Sequence, residues 1–214
     1  MVRRTDDLPF PTEAQVNPAL CVSCGICMGS CPSSTPFRRS EELRTGIDLP
    51  DYSLRELRER VIATAGTLEG PARILVFACD HGGGAGHLSG AVPLPCVAMA
   101  PPSLIDFVLS KNLADGVVVA GCAESACYHR LGAAWTEQRF AGERDPYLRA
   151  RVPRDRLKTI WASALESGRF ERELAAFADA VAAMPATASA SPSLHAILPA
   201  PEREPARLPE GSVP

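Results

Sequence analysis

Four cysteines near the start of the chain have the spacing of ligands to an iron–sulfur cluster. They are Cys21, Cys24, Cys27 and Cys31. The C-x2-C-x2-C-x3-C run is closed by Pro32, and each spacing matches the bacterial signature of a cubane 4Fe-4S site. Gly25 suits the tight backbone wrap that such a cluster needs. Structural zinc sites usually separate two C-x2-C pairs by a longer stretch, and disulfide frameworks do not crowd four thiols together. The run therefore predicts a 4Fe-4S cluster.

Cys31 is the least determined ligand of this run. In proteins that carry two such clusters, the fourth cysteine binds the other cluster. This chain contains no second copy of the run. Either the loop folds back so that Cys31 completes its own cluster, or a remote cysteine or a partner chain supplies the fourth bond.

The four remaining cysteines are far apart in sequence but occupy equivalent places. They are Cys79, Cys96, Cys122 and Cys127. Each comes at or just after the carboxyl end of a predicted strand, where open parallel sheets gather functional residues at the switch point of strand order. The spacing also lets Cys122 and Cys127 span two positions of one metal centre. We therefore expect a second, shared iron–sulfur site, with zinc as the main alternative.

Other interpretations of this second set stay open. Cys79 and Cys96 could be small buried apolar residues, as free cysteines often are. His81 and His129 each follow a cysteine by two residues, which allows a mixed Cys/His centre of the Rieske kind. Cys122 and Cys127 could instead form a redox dithiol, although their spacing differs from the C-x2-C of thioredoxin-like proteins.

The elements that must position these cysteines alternate along the chain. Apolar runs at 72–78, 91–95, 116–121 and 157–162 predict strands. Helices are predicted from a capping box at Ser53 through about residue 65, over 103–112, around Trp135 and Arg139, and over 169–184. Continuous apolar strands separated by helices indicate an α/β fold with a small parallel sheet of about four strands and flanking helices.

The chain divides into four predicted parts. Residues 1–45 form a small 4Fe-4S ferredoxin-type segment, residues 46–70 a linker helix, and residues 71–184 the 2Fe-2S domain. Residues 185–214 are rich in Pro, Ala, Ser and Glu, and we expect this tail to be disordered.

Composition narrows the classes of function. The 214 residues have a formal net charge of -3 with mixed signs, so nothing favours nucleic acid or an anionic membrane surface as a partner. The first 20 residues carry charges where a signal peptide would need an apolar region, and no apolar run is long enough for membrane insertion. We therefore expect a cytoplasmic protein, where eight cysteines favour metal or redox chemistry over disulfides.

The region from residue 71 to about 177 resembles the delta subunit family of methyl-viologen-reducing hydrogenase. The resemblance lies in the strand ending at Cys79, in Gly121-Cys122-x4-Cys127 and in Trp135-x3-Arg139. It implies a 2Fe-2S cluster held by the late quartet, which comprises Cys79, Cys96, Cys122 and Cys127. It also implies a complex with a flavoprotein similar to the flavin-carrying component of heterodisulfide reductase, joined to a hydrogenase or a formate dehydrogenase.

Together these patterns predict an electron-transport subunit of an oxidoreductase complex. An electron would pass between a 4Fe-4S and a 2Fe-2S cluster and leave to a partner. We see no nucleophile–base pair, so turnover by the isolated chain is not expected. The alternative is a metal-stabilised assembly or sensor module, holding iron–sulfur or zinc, in which no electron moves.

Overall fold

A short antiparallel strand pair precedes a four-stranded parallel sheet. The computed structural model of the chain describes residues 2–3, 12–32, 47–83 and 88–185. The pair consists of β1 (Val2–Arg3) and β2 (Thr12–Glu13). The parallel sheet contains β3 (Ile74–Cys79), β4 (Ala91–Leu94), β5 (Gly116–Gly121) and β6 (Leu157–Trp161). The predicted α/β class and its four strands are confirmed.

Five helices accompany the strands in the described ranges. They are α1 (Ile26–Ser30), α2 (Leu54–Ala65), α3 (Pro102–Ser110), α4 (Gly132–Ala141) and α5 (Ser167–Ala182). The predicted capping box is present, because Ser53 accepts a hydrogen bond from the Glu56 N–H and Glu56 accepts one from the Ser53 N–H. The tail predicted over 185–214 lies outside the described residues, apart from Pro185.

The strand order β4-β3-β5-β6 creates one switch point. The chain runs from β3 to β4 on one side and then crosses to β5 on the other side, so the crevice opens between the carboxyl ends of β3 and β5. Ala78 is the register partner of Ala120. The residues that follow them, Cys79 and Gly121-Cys122, therefore leave the sheet side by side.

Alternation along the central strands divides the core into two layers. Leu75 and Phe77 of β3 lie in one buried cluster with the apolar stripes of α2 and α3. Val76 and Ala78 lie in the other cluster, which includes Phe170, Phe177 and Val181 of α5. Both faces of the sheet are thus covered, as uninterrupted apolar strands require. Within the described ranges, no helix is both long and apolar enough to cross a lipid bilayer.

Polar contacts hold the opposite, amino-terminal edge of the sheet. Arg73 forms an ion pair with Asp115 at 2.9 Å. The buried Arg156 guanidinium donates to the Asp115 carbonyl at 2.8 Å and to the Pro185 carbonyl at 2.7 Å. These side chains fix β3, β5 and β6 at the end of the sheet away from the cysteines.

Phe77→Ala should lower the free energy of unfolding by about 3–5 kcal/mol, because the ring is fully buried and its removal leaves a cavity. Leu165→Ala is the matched control, since Leu165 is 98% exposed and should change stability by less than about 0.5 kcal/mol. Urea denaturation of the two variants checks the difference. Equal losses would contradict this description of the core.

Candidate metal centres

Cys79 and Cys122 meet at the switch point of the sheet. Their Sγ atoms are 3.6 Å apart, and the two side chains are only 4% and 5% exposed. Two thiolates bound to one tetrahedral ion through bonds of about 2.3 Å would lie about 3.8 Å apart. The pair is therefore spaced as two ligands of a single metal ion.

Cys96 and Cys127 approach the same edge from the start of α4. A Cβ atom placed on Gly132 would overlap the Cys96 Sγ and would stand 3.5 Å from the Cys127 Sγ. Glycine at this position leaves room for both sulfurs. The thiolates of Cys127 and Cys122 also act electrostatically on Cys96. The structure thus brings all four late cysteines, which the sequence pattern singles out, to one end of the sheet.

The donor set of this group fits a binuclear iron–sulfur centre. Across the part of the chain that the structure describes, no three His, Cys, Asp or Glu side chains are already arranged around a single metal ion. Four thiols grouped as two pairs match a centre in which each of two irons takes two protein ligands. Thiolate ligands also suit zinc, so the donor chemistry alone leaves zinc as the alternative.

Burial keeps these thiols protonated in the absence of metal. Desolvation raises the pKa of Cys79 to about 12, and the neighbouring Cys122 adds to the shift. Burial likewise raises the pKa of Cys96 to about 12. A bound cation must therefore drive deprotonation, since thiolates are the form that binds metal.

The first cysteine run forms a loop that wraps into α1. Ser23 and Gly25 have positive φ angles of 52° and 72°, which turn the backbone tightly. The Ser23 N–H donates to the Cys21 Sγ at 3.3 Å, the kind of amide-to-sulfur bond that an iron–sulfur site uses. Burial raises the pKa of Cys27, and the Cys24 and Cys21 thiolates raise it further. These three thiols therefore lie within electrostatic reach of one another.

Cys31 takes a different position at the end of α1. Its N–H donates to the Met28 carbonyl at 3.2 Å. Its side chain lines a small cavity of about 110 Å³ together with Pro102 and Tyr147. Its role as the fourth ligand of the first cluster stays a prediction.

The two cysteine sets share a contact that the sequence pattern did not show. A Cβ atom on Gly29 would overlap the Ala98 carbonyl oxygen, and one on Gly25 would stand 2.7 Å from the Met99 Cβ. The first run therefore rests on the 3-10 turn Val97–Met99, which directly follows Cys96. The Cys24 thiolate accordingly contributes to the raised pKa of Cys96. Two glycines in the first run are the sequence signal for this close approach.

The two histidines near the late cysteines pack with an aromatic side chain. His81 stacks on Tyr128 with ring centroids 3.8 Å apart, and His129 contacts both rings edge-on. Burial lowers the pKa of His129, and His81 lowers it further. His129 therefore favours the neutral form beside the predicted centre, and a mixed Cys/His centre stays an untested alternative.

Comparison with known families assigns the two halves of this arrangement. Residues 86–185 match the family of the methyl-viologen-reducing hydrogenase delta subunit, and residues 14–35 match the 4Fe-4S binding domain. The predicted family resemblance is confirmed. The first run thus lies in a 4Fe-4S binding domain. No curated protein matches the chain.

The delta-subunit match begins later than the sequence motifs indicate. It starts at residue 86, whereas the motifs suggest a resemblance from residue 71. The matched part includes Cys96, Cys122 and Cys127 but leaves out Cys79. The position of Cys79 in the second site therefore depends on its 3.6 Å distance from Cys122.

Gly29→Ala should loosen the first cysteine run from the delta-subunit-like domain. Alanine normally stabilises a helix by about 1 kcal/mol relative to glycine, so a net loss of about 1–3 kcal/mol would come from the overlap with Ala98. Urea denaturation and hydrogen exchange over residues 97–99 measure the effect. Gly168→Ala in α5 is the control, because its nearest neighbour, the Arg172 Nη1, is 3.6 Å away. A Gly29→Ala variant as stable as this control would contradict the contact.

The metal-free protein should lose stability as the pH rises from about 9 towards 12. Cys79 and Cys96 have a pKa of about 12 in the fold, against about 8.5 in the unfolded chain. The native state therefore holds more protons in this window, and unfolding is favoured as they are removed. Urea titrations at several pH values measure the slope, which Cys96→Ser should make shallower. The same slope in both proteins would contradict the assignment.

Proposed function

We propose that this chain is an iron–sulfur electron-transfer subunit that relays electrons between two clusters. A 4Fe-4S cluster is held by the early run, with Cys31 as its fourth ligand, and a 2Fe-2S cluster by the late quartet. The observation that carries the proposal is the direct contact of the first run with the turn after Cys96. Two sites intended for separate roles would not need to adjoin, whereas a relay needs them close together.

The protein's own contribution to this relay is to hold, bury and shield the sulfurs. The clusters supply the one-electron chemistry when bound. Backbone amides such as that of Ser23 donate to the sulfurs, and burial limits the access of water; both set the reduction potential. Cys79, Cys96 and Cys122 are buried while Cys27 is exposed. The two centres therefore have different environments, and their potentials should differ.

Partners are expected at both ends of the relay. Leu20 and Val22 are exposed beside the first run, and Tyr128 is exposed beside Cys127. Exposed apolar side chains next to a redox centre suit docking of another protein. The family match supports a flavoprotein resembling the flavin-carrying component of heterodisulfide reductase as one partner. A hydrogenase or a formate dehydrogenase would be the other.

We place the complex in the cytoplasm, since eight reduced cysteines suit a reducing compartment. Within the chain we retain the division into a 4Fe-4S segment over 1–45, a linker helix over 46–70, a 2Fe-2S domain over 71–184 and a tail over 185–214. The apolar stripe of α2 lies in the same buried cluster as Met28 and the central strands. The linker helix thereby also supports the surface on which the first run rests.

A second candidate function is a metal-stabilised assembly or sensor module. The 3.6 Å separation of the Cys79 and Cys122 sulfurs would suit a tetrahedral zinc ion as well as iron. In that role the metal would stabilise the carboxyl edge of the sheet without changing its charge. The two functions differ in whether the bound metal can be reduced.

Anaerobically purified protein should contain about six irons and six acid-labile sulfides per chain, the sum of one cubane and one binuclear cluster. Dithionite should bleach the visible absorption, and electron paramagnetic resonance should show two reduced species. Zinc at the second site, or absorption that dithionite leaves unchanged, would favour the static module.

Substitution of single ligands should separate the two centres. Cys24→Ser should remove the 4Fe-4S resonance and retain the 2Fe-2S resonance, whereas Cys122→Ser should do the reverse, with losses of about four and two irons respectively. Each variant is the control for the other. Loss of both resonances in both variants would mean that the chain does not hold two independent clusters.

A further inference from the structure

Arg139 is a buried cation that touches both predicted cluster segments. Its side chain is only 1% exposed and lies on α4. The Nη1 atom donates to the Ala98 carbonyl at 3.1 Å, and the Nη2 atom donates to the Ser30 Oγ. Ser30 in turn donates to the Ile26 carbonyl at 2.6 Å. One guanidinium therefore joins the residue before Cys31 to the turn after Cys96.

No carboxylate of the described residues balances this charge. Among their ion pairs, none includes Arg139. Its Nε atom is buried and has no hydrogen-bond partner within the same ranges. Burial lowers the pKa of Arg139 to about 10, and the like charge of Arg144 lowers it further, while the Cys96 thiolate opposes the shift. The counter-charge that the structure offers is sulfur.

A buried guanidinium needs either a partner or neutralisation. An iron–sulfur cluster bound by thiolates has a net negative charge that grows when the cluster accepts an electron. A fixed cation in a low-dielectric interior attracts the reduced form more strongly than the oxidised form. The position of Arg139 beside Cys96 therefore favours reduction of the neighbouring cluster.

We propose that Arg139 is the positioning and charge-compensating residue of the relay: it holds the end of α1 on the turn after Cys96 and makes the 2Fe-2S cluster easier to reduce. This inference rests on the proposed function. It assigns the electrostatic part to the guanidinium charge and the positioning part to its two hydrogen bonds, so the two parts can be separated by substitution.

The test is a redox titration of the iron-loaded protein, followed by electron paramagnetic resonance. Arg139→Gln removes the charge, and at a fixed ambient potential it should lower the ratio of reduced to oxidised 2Fe-2S cluster at least tenfold. That ratio corresponds to a fall of about 59 mV in midpoint potential for one electron. Arg139→Lys keeps the charge and should stay within about threefold of wild type, as should Ser30→Ala, which removes only one hydrogen bond.

Arg156→Gln is the matched control. Arg156 is also a buried arginine with two carbonyl partners, but it lies at the opposite edge of the sheet. Its substitution should change stability and leave the midpoint potential unchanged. An equal shift in Arg156→Gln and Arg139→Gln would overturn the proposal, because the effect would then be general.

Two further outcomes decide the remaining cases. An iron-loaded Arg139→Gln protein with the wild-type potential would overturn the proposal. If Arg139→Gln fails to load the 2Fe-2S cluster, Arg139→Lys decides: loading would show that the positive charge is needed, and failure would reduce Arg139 to a packing role and overturn the proposal. Wild-type protein without iron would instead refute the proposed function itself.

Discussion

The balance of charge in a buried space is the constraint on which this structure depends. Sulfur ligands must be ionised to bind metal, yet Cys79, Cys96 and Cys122 lie in the core, where ionisation is costly. Arg139 lies in the same interior and has no acidic partner among the described ion pairs. Neither the thiols nor the guanidinium is well accommodated alone. A negatively charged metal cluster satisfies both, because it replaces the protons of the thiols and compensates the cation.

The sheet provides the rigid support for that interior. Strands β3 and β5 are covered on both faces, and their register brings Cys79 and Cys122 out together at the switch point. The Val97–Met99 turn then presents backbone groups in two directions. Its Ala98 carbonyl accepts from Arg139 and lies directly against Gly29. A short turn after one predicted ligand thereby defines the position of the other cysteine run.

Local patterns in the sequence were enough to predict the elements and the chemical type of the sites. The spacing of the first run, the apolar strands and the Ser53 capping box each depend on residues close in sequence. The strand order, the seating of α1 on Ala98 and the burial of Arg139 depend on contacts across more than 40 residues. An arginine on a helix with few apolar neighbours reads as a surface residue, so its burial could not be seen. The short β1–β2 pair was also missed, since two-residue strands leave no periodic signal.

The smallness of α1 has a consequence for the biogenesis of the protein. A helix of five residues has little stability of its own, and here its neighbours are supplied by Ala98 and by Arg139, far downstream. During synthesis, the beginning of the chain leaves the ribosome well before the surface that supports it exists. We therefore expect the first cysteine run to mature late, after α4 has been made, although it is translated first.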